Sequence, residues 1–124
     1  MNLPSDEVLI DHLISLQVCC ERAMRLTNQV AIEDFLASEV HQLAMAMAFA
    51  QIGEVSGRLL RKWPIFCSEH PELELGRSNS MRHRLVHGYD QIDMPTLWDT
   101  VQVSVPVMLE AVGKLLSTGN GREP

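Results

Sequence analysis

The sequence lacks the features that would take it out of ordinary reduced, soluble chemistry. It has three cysteines. Cys19 and Cys20 are adjacent and Cys67 is far away, and an odd count without paired spacing argues against both a disulfide framework and a CxxC metal site. They read as reduced thiols used in packing. Basic residues are scarce too, with ten Lys and Arg against sixteen Asp and Glu and a formal net charge of −6. Affinity for a polyanion comes from cations neutralising phosphates, so an extended nucleic-acid surface is disfavoured and any phosphate chemistry must be local. The longest apolar run, Leu43 to Ala50, is far short of the roughly 20 residues a bilayer span requires. Met1 to Ser5 shows no basic region followed by an apolar run, so no secretory leader is expected and a cytoplasmic location is the default. Strand-like alternation, internal repeats and low-complexity segments are absent as well.

What is present is helical periodicity in a chain of 124 residues, 46% hydrophobic and 21% charged, a size that suits one domain. Residues 1–116 are expected to form it, with a flexible, Gly-rich tail over 117–124. Ser5, Asp6 and Glu7 offer an N-cap and two first-turn acids. Leu9, Leu13, Leu16, Cys20 and Ala23 then make one apolar face of a helix from about Asp6 to Thr27. A polar connection over Asn28 to Glu33 precedes a second helix from about Asp34 to Lys62, whose apolar series reads Leu36, Val40, Leu43, Met47, Ala50. Trp63-Pro64 ends it, because the residue before proline leaves the helical region. Ile65 to Pro71 reads as a connection, and helical character returns from Glu72 through Met81 and Leu85 until Gly88. Asp93 can cap a last helix with Pro95 in its first turn and Leu97, Val101, Val105, Met108, Val112 and Leu115 on its apolar face. Pro106 should kink or split that helix. The fold expected is an all-α, antiparallel, up-and-down bundle of four or five helices.

Two features go beyond scaffold. Continuing the second helix's series by four from Ala50 lands on Glu54, a carboxylate in a core-facing or cleft-facing position that needs a partner. It is either a structural ion pair or cap, or it pairs with and positions an Arg of the Arg82 region. The second feature is Met81 to Tyr89. Arg77, Arg82 and Arg84, with His83 and His87, place three of ten basic residues and two of five His within eleven positions. Arg is a permanent cation with a planar fork suited to phosphate, and His both takes and gives a proton near neutral pH.

Three readings of that stretch stay open on spacing alone. The first is a basic helix end that satisfies terminal carbonyls, with His87 at the C-cap. A metal site could use His83 and His87 at i, i+4 with Asp90 or Asp93, although Arg82 and Arg84 beside it oppose a divalent cation. The third reading is metal-free phosphodiester cleavage, with His87 as general acid or base and Arg82 stabilising the developing charge. Positions five apart on a helix differ by about 140° in direction. Arg82 and His87 therefore converge only if the helix loosens at Val86 to Gly88 or if two chains share the site, as in a two-fold dimer.

Arg82 with His87 five positions on, then Gly88-Tyr89, resembles the Arg-x4-His-x-Tyr motif of HEPN-domain proteins, specifically the HepT-type toxins. Gln51-Ile52-Gly53-Glu54-Val55 is similar to the family's Ile-Gly-Glu-Ala segment, and Leu97-Trp98-Asp99-Thr100-Val101 followed by Pro106 to its Leu-Trp-x-Thr to Pro segment. Residues from about Ser5 to Leu116 are covered. The resemblance implies a helical homodimer whose Arg82 and His87 form a metal-independent, cofactor-free endoribonuclease site acting on RNA, with Glu54, His83 and Arg84 in support. It also implies a type VII-like toxin–antitoxin pair, in which an MntA-type minimal nucleotidyltransferase attaches AMP to Tyr89 and silences the site. Where the family usually has Asn after the motif Arg, this chain has His83, and Glu69 to Ser80 lacks the family's Pro-Trp lead-in. A non-catalytic helical module that docks a nucleotidyltransferase is the alternative.

Overall fold

In the computed structural model, residues 6–119 are described. They form six α-helices, with no strand among the described residues: α1 (Glu7–Asn28), α2 (Ile32–Leu36), α3 (Glu39–Lys62), α4 (Pro64–Glu69), α5 (Leu75–His87) and α6 (Met94–Gly119). Short 3-10 turns occupy Pro71–Leu73 and Tyr89–Gln91. No described helix is long and apolar enough to cross a membrane. The three longest helices, α1, α3 and α6, each start at a side-chain cap that accepts otherwise orphaned N–H groups. Asp6 accepts from the amides of Val8 and Leu9, so Asp6 is the cap of α1, while Ser5 lies outside the described residues. Ser38 accepts from the amide of His41 at the start of α3, and Asp93 from both the amide and the hydroxyl of Thr96 at the start of α6.

α3 packs between α1 and α5, while α6 packs mainly against α1 and touches the 71–73 turn. Two contacts make α1 antiparallel to α3. The Trp63 indole N–H donates to Asp6 Oδ2 at 2.9 Å, and the Arg22 guanidinium donates to Gln51 Oε1 at 2.5 Å. The core is drawn from the inner faces of all the long helices: Leu9, Leu13 and Leu16 on α1, Met45, Ile52 and Leu59 on α3, and Leu97, Val101, Val105 and Val112 on α6. Cys20 lies inside it, and burial pushes its thiol up to about 12, so it is an inert packing group.

Several expectations are corrected. The connections on either side of α3 contain the short helices α2 and α4, which are too brief for apolar periodicity to reveal. α3 begins at Glu39 rather than Asp34, because Ser38 takes the cap. α5 begins at Leu75, after Glu74 turns the chain through the left-handed region at φ 50°. α6 runs unbroken through Pro106 and on to Gly119. The expected tail is thus helical over 117–119, and its remainder, 120–124, lies outside the described residues.

The largest correction concerns the series Leu36, Val40, Leu43, Met47. These side chains are not in the core: Val40 is 75% and Met47 62% exposed, and Leu36 and Leu43 are exposed as well. The residues of α3 that are buried, Met45, Ala48, Phe49, Ile52, Val55 and Leu59, lie on the other side of the helix. α3 therefore carries two apolar faces, and only one is covered by its own chain.

Candidate functional site

The site is built where α5 crosses α3. Gly53 and Gly57 stand four apart on one face of α3 and give it a flat surface. An added Cβ at Gly53 would come within 2.3 Å of Arg82 Cβ and 2.6 Å of the Ser78 carbonyl oxygen. One at Gly57 would meet Asn79 Oδ1 at 2.7 Å. Only glycine admits this approach at 53, where the obstacle is the backbone and Cβ of a neighbouring helix. The consequence is local and chemical: α5 lies so close to α3 that Arg82 meets Glu54, the residue next to Gly53.

Arg82 Nε sits 2.8 Å from Glu54 Oε1, in a pair about one-third open to solvent (29% and 39% exposed side chains). The other carboxylate oxygen of Glu54 pairs with Arg58 Nη2 at 3.4 Å. Glu54 is thus cleft-facing, on the outer face of α3 that also bears Val40, Leu43 and Met47. A groove lined by Ile14, Val18 and Arg22 of α1 and Gln51, Glu54 and Arg58 of α3 continues that surface. Nε is the guanidinium nitrogen paired with Glu54, which leaves the two Nη groups for an anion.

His87 is the last residue of α5, which stays helical up to Gly88. The Gly88 amide closes the helix onto the Arg84 carbonyl at 2.9 Å, and Gly88 has φ −145°. No loosening therefore precedes His87. Arg82 turns to α3 while His87 is exposed and stacks on His83, with ring centroids 5.9 Å apart and planes 22° apart. One chain does not bring Arg82 and His87 together. Arg84 departs in a third direction: with Arg77 it lines a cleft of about 200 Å³ between α5 and α6 that includes Met81, Thr100, Ser104 and Met108.

Tyr89 follows in the 3-10 turn, half-buried against the core. Burial first, and Glu39 at the start of α3 second, hold its hydroxyl above the usual phenol range, so it is protonated at neutral pH. The set of His83, His87 and Asp90 or Asp93 does not assemble: among the described residues no three His, Cys, Asp or Glu side chains are grouped to hold one ion. Sequence reasoning quoted Gly53 only as part of a motif and missed Gly57. Their spacing, four apart on a helix beside the conspicuous Glu54, was the available signal.

A family profile described as "Ribonuclease HepT-like" matches residues 16–115. Among curated proteins, the chain is 30% identical over 105 residues to "Probable ribonuclease HepT" of Thermococcus cleftensis, an alignment covering 85% of this chain and 93% of that protein. Two RNase-named relatives are each 24% identical: one from Methanocaldococcus jannaschii over 81% of this chain and 80% of its own length, and one from Caldanaerobacter subterraneus subsp. tengcongensis over 78% and 84%. No solved structure matches at a significant level. The all-helical bundle agrees with this, and the profile takes in both helices that build the site, α3 and α5, from Glu54 through Arg82 and His87 to Tyr89: the chain belongs to the HepT-like ribonuclease family.

Proposed function

We propose that the protein is a metal-independent endoribonuclease toxin whose site is completed by two copies of the chain. The observation that carries this reading is that Arg82 is oriented by Glu54 at the edge of an uncovered apolar face, while His87 stands exposed and 140° away on the same helix. Val40, Leu43 and Met47 on α3, Ile14 and Val18 on α1 and Val86 on α5 are all exposed, more apolar surface than a lone small domain keeps in contact with water without use. In this reading a second copy covers that face about a two-fold axis, pairing like surfaces, and contributes its own Arg82 and His87 to the shared groove.

RNA supplies its own nucleophile. One His87 takes the proton of a ribose 2′-hydroxyl as the oxygen attacks the adjacent phosphorus, and the other His87 protonates the departing 5′-oxygen as the P–O5′ bond breaks. The Arg82 Nη groups carry the charge that accumulates on the non-bridging oxygens. Glu54 positions the Arg82 fork and His83 supports the site from the same helix, whereas Arg84, turned into the α5–α6 cleft, has no part in it. The products carry a 2′,3′-cyclic phosphate and a 5′-hydroxyl. Tyr89, two residues beyond His87, is the acceptor for AMP from an MntA-type nucleotidyltransferase partner. Its phenol is protonated, so the partner must supply the base, and the added phosphate places a negative charge beside the groove.

The test is cleavage of a defined RNA with end-group analysis. Cleavage should persist in EDTA and yield cyclic phosphate, a deoxyribose at the cut position should abolish it, and His87→Ala should lower the rate by about 10² to 10⁴. The separation of Arg82 from His87 within one chain also fits a non-catalytic module that docks the nucleotidyltransferase. A wild-type protein that binds the partner yet cleaves no RNA, with His87→Ala indistinguishable from it, would establish that alternative.

A further inference from the structure

We infer that His83 and His87 form a bidentate site for a d-block divalent cation such as zinc, and that its occupancy switches off the ribonuclease; the binding stands on geometry alone, whereas the inhibition rests on the function proposed above. Two His at i, i+4 project from one face of a helix, a spacing that lets two imidazoles reach one ion. Here the rings lie beside each other, with planes 22° apart and centroids 5.9 Å apart, and since imidazole lone pairs lie in the ring plane, the rings must turn about χ2 to aim one nitrogen each at a common ion. An ion about 2.0–2.1 Å from one nitrogen of each ring requires centroids roughly 5 Å apart, and exposed side chains reach such rotamers rapidly. Among the described residues the hydrogen-bonded imidazoles are those of His12, His41 and His70. The rings of His83 and His87 are not committed elsewhere.

The objection from neighbouring cations is answered by where the two arginines go. Arg82 is neutralised by Glu54 on the α3 side. Arg84, about 200° around the helix from Arg82, lies along the α5–α6 cleft. The outward face between them presents the two imidazoles. With no third protein ligand grouped there among the described residues, water completes the coordination. Such an open nitrogen site favours zinc, copper and nickel over magnesium or calcium.

The effect on chemistry follows from the electron pairs of imidazole. Neutral His87 has one acceptor nitrogen, and the proton transfers assigned to it use that lone pair. When the ion holds it, His87 can accept no proton from a 2′-hydroxyl and, having taken none, can deliver none to the leaving oxygen. His83 is what gives this chain the second ligand.

Zinc chloride titrated into the full chain by calorimetry should show binding that His83→Asn weakens about tenfold or more, at least what loss of a supporting shell costs a metal site, while His41→Asn leaves it unchanged. In RNA cleavage, each protein is compared with itself with and without zinc. The wild type should be inhibited and regain its rate on adding EDTA, and His83→Asn should lose most of that inhibition. No zinc binding, or binding equal in wild type and His83→Asn, overturns the site. Cleavage indifferent to zinc at saturating occupancy overturns the switch. Zinc binding that depends on His83 in a chain that cleaves nothing keeps the site and rejects the nuclease reading, and the inhibition with it.

Discussion

Replacing the three glycines of α3 and α5 one at a time by alanine should separate contact from intrinsic helix preference. In an exposed helix interior, Gly→Ala gains up to about 1 kcal/mol. At Gly76, on the first turn of α5, an added Cβ meets nothing within 4 Å, so Gly76→Ala should stabilise by about 0.5 to 1 kcal/mol. At Gly57 the nearest atom is Asn79 Oδ1 at 2.7 Å, the end of a side chain that can turn away. Helix preference and the lost contact should nearly cancel there, to within about 0.5 kcal/mol. At Gly53 the obstacles are Arg82 Cβ at 2.3 Å and the Ser78 carbonyl oxygen at 2.6 Å, against an ordinary carbon contact of about 3.5 to 4.0 Å. α5 must retreat by about 1 Å. Overpacking of that kind costs about 1 to 3 kcal/mol, and after the helix gain the net loss should be about 1 to 2 kcal/mol. Urea unfolding at one fixed protein concentration should therefore rank Gly76→Ala above wild type, Gly57→Ala level with it and Gly53→Ala below. The retreat also draws Arg82 from Glu54, so Gly53→Ala should lose up to about 10²-fold in RNA cleavage, beyond what its folded fraction explains. Equal stability and activity for Gly53→Ala and Gly57→Ala would refute the claim that close helix approach positions Arg82.

Glu54→Ala should cost only about 0.5 to 1 kcal/mol, since both partners are roughly one-third exposed and solvent screens them, yet it should lower cleavage substantially; equal losses in both would make Glu54 merely structural. Met47→Asp, at a side chain 62% exposed in the protomer, should convert a dimer to a folded monomer in sedimentation; a dimer that persists moves the interface elsewhere. The Asp6 carboxyl is held below its ordinary 3.8 by the Trp63 indole N–H first and the Leu9 amide second, so its contribution is present above that value and lost as pH falls through the lower folded-state value. Asp6→Asn should flatten that acid limb in pH-dependent unfolding, and an unchanged acid limb would remove Asp6 from the account.

Much of the fold was legible because caps and breakers act locally. Trp63-Pro64, Asp93 as a cap and the face from Leu9 to Ala23 needed only neighbours in sequence. Ser38 is hidden as a cap because Leu36 and Val40 continue an apolar series across it. α2 and α4 escaped because five or six residues hold too little of a helical period to register.

The more instructive failure is the stripe Leu36, Val40, Leu43, Met47. Hydrophobic periodicity reports that a face avoids water; it does not report which molecule covers it. Read as core, the stripe made Glu54 a carboxylate intruding into the interior; found exposed, it makes Glu54 the polar end of an outward surface, with Arg82 drawn to it across Gly53. The Glu54–Arg82 contact could be suspected from the stripe's register, but its cause could not. Contact between α3 and α5 depends on an absent side chain at Gly53, and absence carries no periodic signal. The distance from Arg82 to His87 was foreseeable from the 100° step of a helix, and α5 keeps that step through His87. A single chain with these helices therefore presents the two halves of its motif on different faces, which is why the proposed function calls on the uncovered face of α3 and a second copy.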